Sequence, residues 1–294
     1  MQQATGALGE PVLAAIIESG KFNVTVLVRS TSKTTIFPSS VKTITVDYTD
    51  VSSLTEALRG QDAVVSTVGN HGLQGQTVMI DAAIAAGVKR FLPSEFGSDL
   101  SNPKTAKLPV FGYKVNVIKY IEEKAAANPD FTYTLVRNGA FLDWGLDVNF
   151  LVDLKSGSPR IFDGGDQLFS TTTLESVAKA VVGVLEHPDE TKNRAVYVQD
   201  MQASQNKILA LAKKVAPEKK WEPVPTSLAE IEKASNEALA KGQFTPAVLV
   251  EYLFVSIMGE GYGGRMEKTD NELLGIAGDK TDADIEAMLK PLLK

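Results

Sequence analysis

The chain has 294 residues, no cysteine, two histidines and a formal charge of -6. Without cysteine there are no disulfides, thiolate nucleophiles or cysteine-held metals. Two histidines argue against a histidine-rich metal centre, and a reducing, cytoplasmic setting is the expectation. Lys and Arg are scattered among acids, which leaves no footprint for nucleic acid or an anionic membrane, and no apolar run reaches the roughly 18 residues of a membrane helix. The expected partners are therefore small molecules, and nothing in the pattern sets an oligomeric state.

Taken in chain order, Gln3-Ala4-Thr5-Gly6-Ala7-Leu8-Gly9 is a glycine-rich turn ahead of a helix predicted over Pro11 to Ser19. Glycines there let a backbone approach a pyrophosphate, and a helix N-terminus offers N–H groups to the anion. An ordinary loop before a helix produces the same spacing. A β-branched strand, Phe22 to Arg29, then ends in Arg29-Ser30-Thr31-Ser32-Lys33. At about this distance from the turn, NAD binders place an acid and NADP binders place cations. Arg29 and Lys33 point to NADP(H); the alternative is a pair of solvated loop cations.

Strands Val41 to Val46, Ala63 to Val68, Arg90 to Pro93 and Thr132 to Arg137 alternate with helices Val51 to Leu58, Gln76 to Ala86 and Val110 to Ala127. Strands spaced by helices give right-handed crossovers and a parallel sheet. A polar loop is expected from Ser94 to Leu108. On the last helix Lys114 shares a face with Ile118, Ile121 and Ala125, while Lys119, Glu122 and Glu123 look outward. An inward lysine has its pKa lowered by burial and can serve as general acid or base; the alternative is a lysine that reaches solvent along its stem.

After Asn138 the pattern loosens. Phe141 and Trp144 follow the strand at the carboxyl end of the sheet, where open α/β folds bind ligands, and read either as a substrate wall or as core. Phe254, Met258 and Tyr262 near a later helix carry the same two readings, and His71 is a loop candidate for the substrate pocket. Asp163 and Asp166 flank a Gly-Gly turn that accounts for them without a metal. Helices are predicted over Leu174 to Glu186, Ala203 to Val215, Leu228 to Lys241 and Pro246 to Met258. The fold expected is a Rossmann-type doubly wound parallel sheet over residues 1–145, with a smaller, mostly helical substrate region over 146–294. Some elements of the second region are expected to return to the first.

The glycine turn, Asp62-Ala-Val-Val-Ser-Thr-Val-Gly69, Ala85-Ala-Gly-Val-Lys-Arg-Phe-Leu-Pro-Ser-Glu-Phe-Gly-Ser-Asp99 and the Lys114 helix resemble the isoflavone-reductase-like branch of the NmrA-like atypical short-chain dehydrogenase/reductases, in the manner of its fungal members. The resemblance implies NADPH and reduction of a small, often aromatic or carbonyl-bearing compound. By position it implies Thr5, Gly6 and Gly9 at the pyrophosphate, Arg29 and Lys33 at the 2'-phosphate, and Gly69 and Asn138 along the cofactor. Ser94, Glu95 and Phe96 would lie beside the nicotinamide.

Of the Tyr-x-x-x-Lys pair of the larger superfamily only Lys114 stands here, with Val110 at the tyrosine position, and this too resembles the branch. The catalytic residue expected is Lys114. The rival expectation is a non-catalytic, NADP-sensing regulator, which the NmrA-like group also includes. Family members carry an apolar strand ahead of the glycine turn, where this sequence has Met1-Gln2. The central strand is therefore expected to be missing and its neighbours to present open ladder edges.

Overall fold

A computed structural model describes residues 1, 4–29, 37–69 and 72–293. Gln3, Lys33 and His71, named above, lie outside the described residues. The first half runs α1 (Gly9–Glu18), β1 (Thr25–Arg29), β2 (Lys42–Val46), α2 (Val51–Leu58), β3 (Ala63–Val65), α3 (Gln76–Ala85), β4 (Arg90–Leu92), α4 (Pro103–Ala106), α5 (Gly112–Ala127) and β5 (Thr132–Arg137). The second runs β6 (Ala140–Phe141), α6 (Leu142–Asp147), β7 (Arg160–Phe162), β8 (Phe169–Thr172), α7 (Leu174–Glu186), α8 (Pro188–Thr191), β9 (Arg194–Tyr197), β10 (Met201–Ala203), α9 (Gln205–Val215), β11 (Val224–Thr226), α10 (Leu228–Ala240), α11 (Pro246–Met258) and α12 (Asp282–Leu292).

Strands β3, β4, β5 and β9 form a parallel sheet in that order, and β1 and β2 form a parallel pair. Alternation of side chains along the strands sorts the core into two layers. Val64, Phe91 and Leu135 pack with Leu54, Met79, Ile80 and Ile121 of α2, α3 and α5. Their sequence neighbours Val65, Leu92 and Val136 pack with Val12 and Ile16 of α1 and Val177, Val181 and Val184 of α7. Helices on both faces of a parallel sheet make the fold doubly wound.

Among the described residues β1 pairs with β2 alone, and no strand joins β1 to β3. On the edge of β1 opposite β2, the Met1 amine donates to the Thr25 carbonyl at 2.6 Å, and Leu27 N–H donates to the Met1 carbonyl at 2.9 Å. The Met1 side chain packs on the α1 layer.

Several boundaries differ from expectation. Helix α1 starts at Gly9, two residues before Pro11, because Leu8 is already helical and the Glu10 N–H bonds back to the Gly6 carbonyl at 3.0 Å. A 3₁₀ turn, Pro109–Phe111, precedes α5, so the regular helix opens at Gly112. The loop after β4 holds the short α4, started by Asn102, whose side chain accepts from the N–H groups of Lys104 and Thr105. Ala203 closes a strand instead of opening a helix, and Ser204 caps α9. No helix among the described residues is long and apolar enough to cross a membrane.

The second half is built on its own core, with Leu142, Leu146, Leu151, Phe162, Phe169, Tyr252, Phe254 and Leu289 buried together. It contains more short strands than the helical pattern suggested, since β6, β7, β8, β10 and β11 are two to four residues long and carry no readable periodicity. Helix α7 and strand β9 return to the first half, one packed beside α1 and the other paired with β5.

Candidate functional site

Parallel strands end on one edge of their sheet, and several of the residues singled out in the sequence lie at or just past such strand ends. Arg29 is the exposed last residue of β1. Ser94 follows β4 and Asn138 follows β5. The turn from Ala4 to Leu8 leads into α1, where the intrahelical ladder begins with Glu10 bonded to Gly6 and Val12 bonded to Leu8. The N–H groups of Leu8 and Gly9 stand ahead of that ladder, and Leu8 supplies no side-chain cap. Thr5 is exposed in this turn, and Gly9 is buried. Asp47 spends its carboxylate on a turn, accepting from the Thr49 N–H at 2.8 Å and hydroxyl at 2.7 Å.

Two side chains tie the ends of β3 and β4. The Ser94 hydroxyl donates to the Val68 carbonyl at 2.7 Å, and the Ser94 N–H donates to Gln76 Oε1 at 2.7 Å. Gln76 is fully buried at the start of α3, and neither its Nε2 nor the Oδ1 of buried Asn138 has a hydrogen-bond partner among the described residues. Gly69 lies one residue past Val68, its carbonyl accepting from the Gly72 N–H at 2.8 Å.

Beyond Ser94 the chain bends sharply. Gly97 adopts φ of 147°, a backbone that side-chain-bearing residues rarely take. The bend turns the carbonyls of Glu95 and Phe96 toward α5, where Lys114 Nζ donates to both, to Phe96 at 3.3 Å and to Glu95 at closer range. The inward face read from the sequence is the one observed, with Ile121 and Ala125 buried below Lys114. Tyr113, at 52% exposure, faces away. Burial pushes the Lys114 ammonium pKa down; the Glu95 carboxylate opposes this and the Arg137 guanidinium adds to it.

The Glu95 side chain bonds to Arg137. Arg137 Nη1 meets Glu95 Oε2 at 2.5 Å with the two side chains 3% and 0% exposed, and the same nitrogen donates to the Ser98 carbonyl at 3.3 Å. Burial raises the Glu95 carboxyl pKa, against the pull of Arg137 and Lys114. Phe96 is buried against the α1 and α7 layer. Arg137 was not read as functional from the sequence. Its signal was a guanidinium closing an otherwise buried strand, Tyr133-Thr134-Leu135-Val136-Arg137, where only a partnered charge is stable.

In the second half the structure joins residues that the sequence named separately. Phe141 meets Trp144 edge-on with ring centroids 6.3 Å apart, and Trp144 meets Phe150 at 6.2 Å. Phe150 stacks on Phe254 at 4.9 Å, and Phe254 meets Phe162 at 4.9 Å. Arg160 caps the last two rings and pairs with Glu251 at 3.0 Å. Trp144 is 37% exposed, whereas Phe254 and Met258 are buried core. Tyr262 is held outside this ladder, its hydroxyl donating to Glu232 at 2.8 Å, and burial pushes its pKa up to about 12. Phe150 and Phe162 were missed because an isolated aromatic in a loop or a three-residue strand carries no periodic signal. The Ser98 and Ser256 hydroxyls, 3.1 Å apart, link the Lys114 bend to α11.

Other polar groups have structural partners. Asp163 accepts from the Leu228 N–H at 3.1 Å and Asp166 from Asn206 at 2.7 Å. A cavity of about 750 Å³ between α1 and α7, lined by Pro11, Ala15, Glu18, Lys179 and Leu274, contains none of the candidate site residues.

A doubly wound sheet with a glycine turn at a helix N-terminus on its carboxyl edge defines an α/β protein of the Rossmann type. The sequence profile of the NmrA-like family matches residues 2–243. The chain belongs to that family, in its isoflavone-reductase-like branch. It is 34% identical over 299 residues to oxidoreductase poxI of Penicillium oxalicum, covering 98% of this chain and 92% of the relative. The fold matches AtPrR2 solved with NADP+ and (+)pinoresinol at a TM-score of 0.76 and 23% identity, covering 98% of this chain and 97% of that one. It matches the leucoanthocyanidin reductase–NADPH complex from Vitis vinifera at a TM-score of 0.77 and 18% identity, with 98% of each chain covered.

Proposed function

We propose that this protein is an NADPH-dependent reductase that delivers hydride to a small aromatic or carbonyl-bearing compound, with Lys114 as its catalytic residue. The observation that carries the reading is the Lys114 ammonium, drawn out of water and aimed by two backbone carbonyls at the carboxyl edge of the sheet. The oxidoreductase of Penicillium oxalicum, and solved neighbours that hold NADP+ or NADPH, support it. Bound NADPH supplies the hydride. Thr5, Gly6 and Gly9 offer backbone to its pyrophosphate, and Arg29, with Lys33, offers charge to its 2'-phosphate. Gly69, Ser94, Phe96 and Asn138 line its path toward Lys114. The unpartnered buried amide atoms of Gln76 and Asn138 suit a polar group on the nicotinamide ring.

Lys114 orients the cofactor and manages the substrate proton: with its pKa lowered toward working pH, the ammonium is a better donor than an exposed lysine. Phe141 and Trp144, with Phe150 behind them, form the wall for the substrate, and Phe254 and Met258 support it from the core. Residues 1–145 with α7 and β9 form the cofactor half, and the remainder of 146–294 forms the substrate half. The placement of Lys114 favours catalysis over a purely sensory role.

Titration with NADPH and NADH tests the cofactor assignment. NADPH is expected to bind more tightly, and Arg29→Ala is expected to weaken NADPH by about tenfold or more while leaving NADH unchanged, the value of a charge-assisted contact. Equal affinity of the unaltered protein for the two cofactors would remove Arg29 from the site.

A further inference from the structure

The bend from Glu95 to Ser98 is held at four consecutive carbonyls. Lys114 Nζ takes those of Glu95 and Phe96. The Gly139 N–H takes that of Gly97 at 3.1 Å, and Arg137 Nη1 takes that of Ser98. The nitrogen that fixes Ser98 also grips the Glu95 carboxylate, so one guanidinium closes the bend at both ends.

We propose that Glu95 and Arg137 are positioning residues for Lys114: the pair braces the bend that aims the ammonium and sets the charge the ammonium faces. This rests on the reading of Lys114 given above. Stability alone does not explain such a pair. Taking both charges out of water costs several kcal/mol per ion, and an apolar pair of similar size would pack as well or better. The pairing is also incomplete, since Glu95 Oε1 and Arg137 Nε have no hydrogen-bond partner among the described residues. What an apolar pair could not supply is a carboxylate and a guanidinium of fixed position beside a third, half-buried charge. The two act on Lys114 in opposite senses, Glu95 favouring the ammonium and Arg137 the neutral amine. They are the charged groups that act on it from the bend and from β5. Asp99 and Tyr197, bonded to each other at 3.2 Å, stand beyond Arg137.

The test needs no substrate. Protein labelled with ¹³Cε,¹⁵Nζ-lysine is titrated by NMR, the Lys114 signal being assigned by its loss in Lys114→Arg. Glu95→Gln is expected to lower the Lys114 midpoint by about one pH unit or more, and Arg137→Met to raise it, as removal of an opposite or a like charge at close range requires. Arg137→Lys, which keeps the charge, is expected to stay near the unaltered midpoint. A purely structural pair would move the melting temperature and leave the midpoint in place. Displacement of both midpoints in one direction, or of neither, overturns the proposal. The two arms are independent, so if one variant does not fold the other decides. If Lys114→Ala retained turnover, the reading of the site would fall, whereas failure of the positioning role would show in the titration alone.

Discussion

Replacing Lys114 with alanine is expected to lower turnover by about two to four orders of magnitude, the usual contribution of a positioned general acid or base, while NADPH still binds. The measurement is NADPH oxidation against a panel of aromatic ketones and benzylic ethers, with cofactor affinity followed separately by fluorescence titration. Loss of turnover with retained binding separates a chemical role from a collapsed cofactor site, because the glycine turn and Arg29 lie on other elements. The pH profile carries the same assignment. A donor whose pKa is lowered from 10.5 stops donating as pH rises through the lowered value, so the alkaline limb of the rate should appear earlier than for an ordinary lysine. Unchanged turnover in the alanine variant would remove Lys114 from the mechanism.

Arg137→Met is expected to destabilise the fold by about 3–5 kcal/mol, because it leaves a fully buried carboxylate without its counter-charge. Urea unfolding followed by circular dichroism reads the loss, and Glu95→Gln added to Arg137→Met should recover much of it. The pH dependence has a definite sign. The Glu95 carboxyl pKa is raised in the folded state above its ordinary 4.5, so the folded chain binds the proton more readily than the unfolded one. Stability from this group is therefore present below about 4.5 and is lost as pH rises through the raised value, and the loss extends to higher pH when Arg137 no longer offsets it. A variant equally unstable at acid and neutral pH would show that the deficit comes from packing.

The first half was legible because its helices are periodic and its strands, short as β3 and β4 are, stand as apolar runs between them: Val64-Val65 and Phe91-Leu92 fill the two faces of the sheet, and Lys114 with Ile121 and Ala125 announces one face of a helix. The glycine turn and Lys114 could be named from spacing and resemblance alone. Arg137 could not, because a cation at a strand end looks like a solvated one until its partner, 42 residues away, is known. The aromatic ladder was half visible for a related reason. Trp144, Phe150, Phe254 and Phe162 come from four separate segments, and only tertiary packing brings their rings together. Element boundaries moved wherever hydrogen bonds outside the helical pattern decided them, as at Gly9 and Ser204.

Gly139 joins the two functions of this edge. Its φ is 61°, and a methyl group there would come within 2.4 Å of the Ser170 carbonyl, so no other residue fits without displacing β8. Arg137 and Phe141 thus belong to one short piece of chain with a single permitted shape, and its two ends cannot be adjusted separately. On the proposed assignment of Phe141, redesign for a different substrate has little freedom on the β5–β6 side. The freedom lies in Phe150, which belongs to neither the bend nor the ion pair, whereas the helix that carries Phe254 is tied to the bend through Ser256 and Ser98.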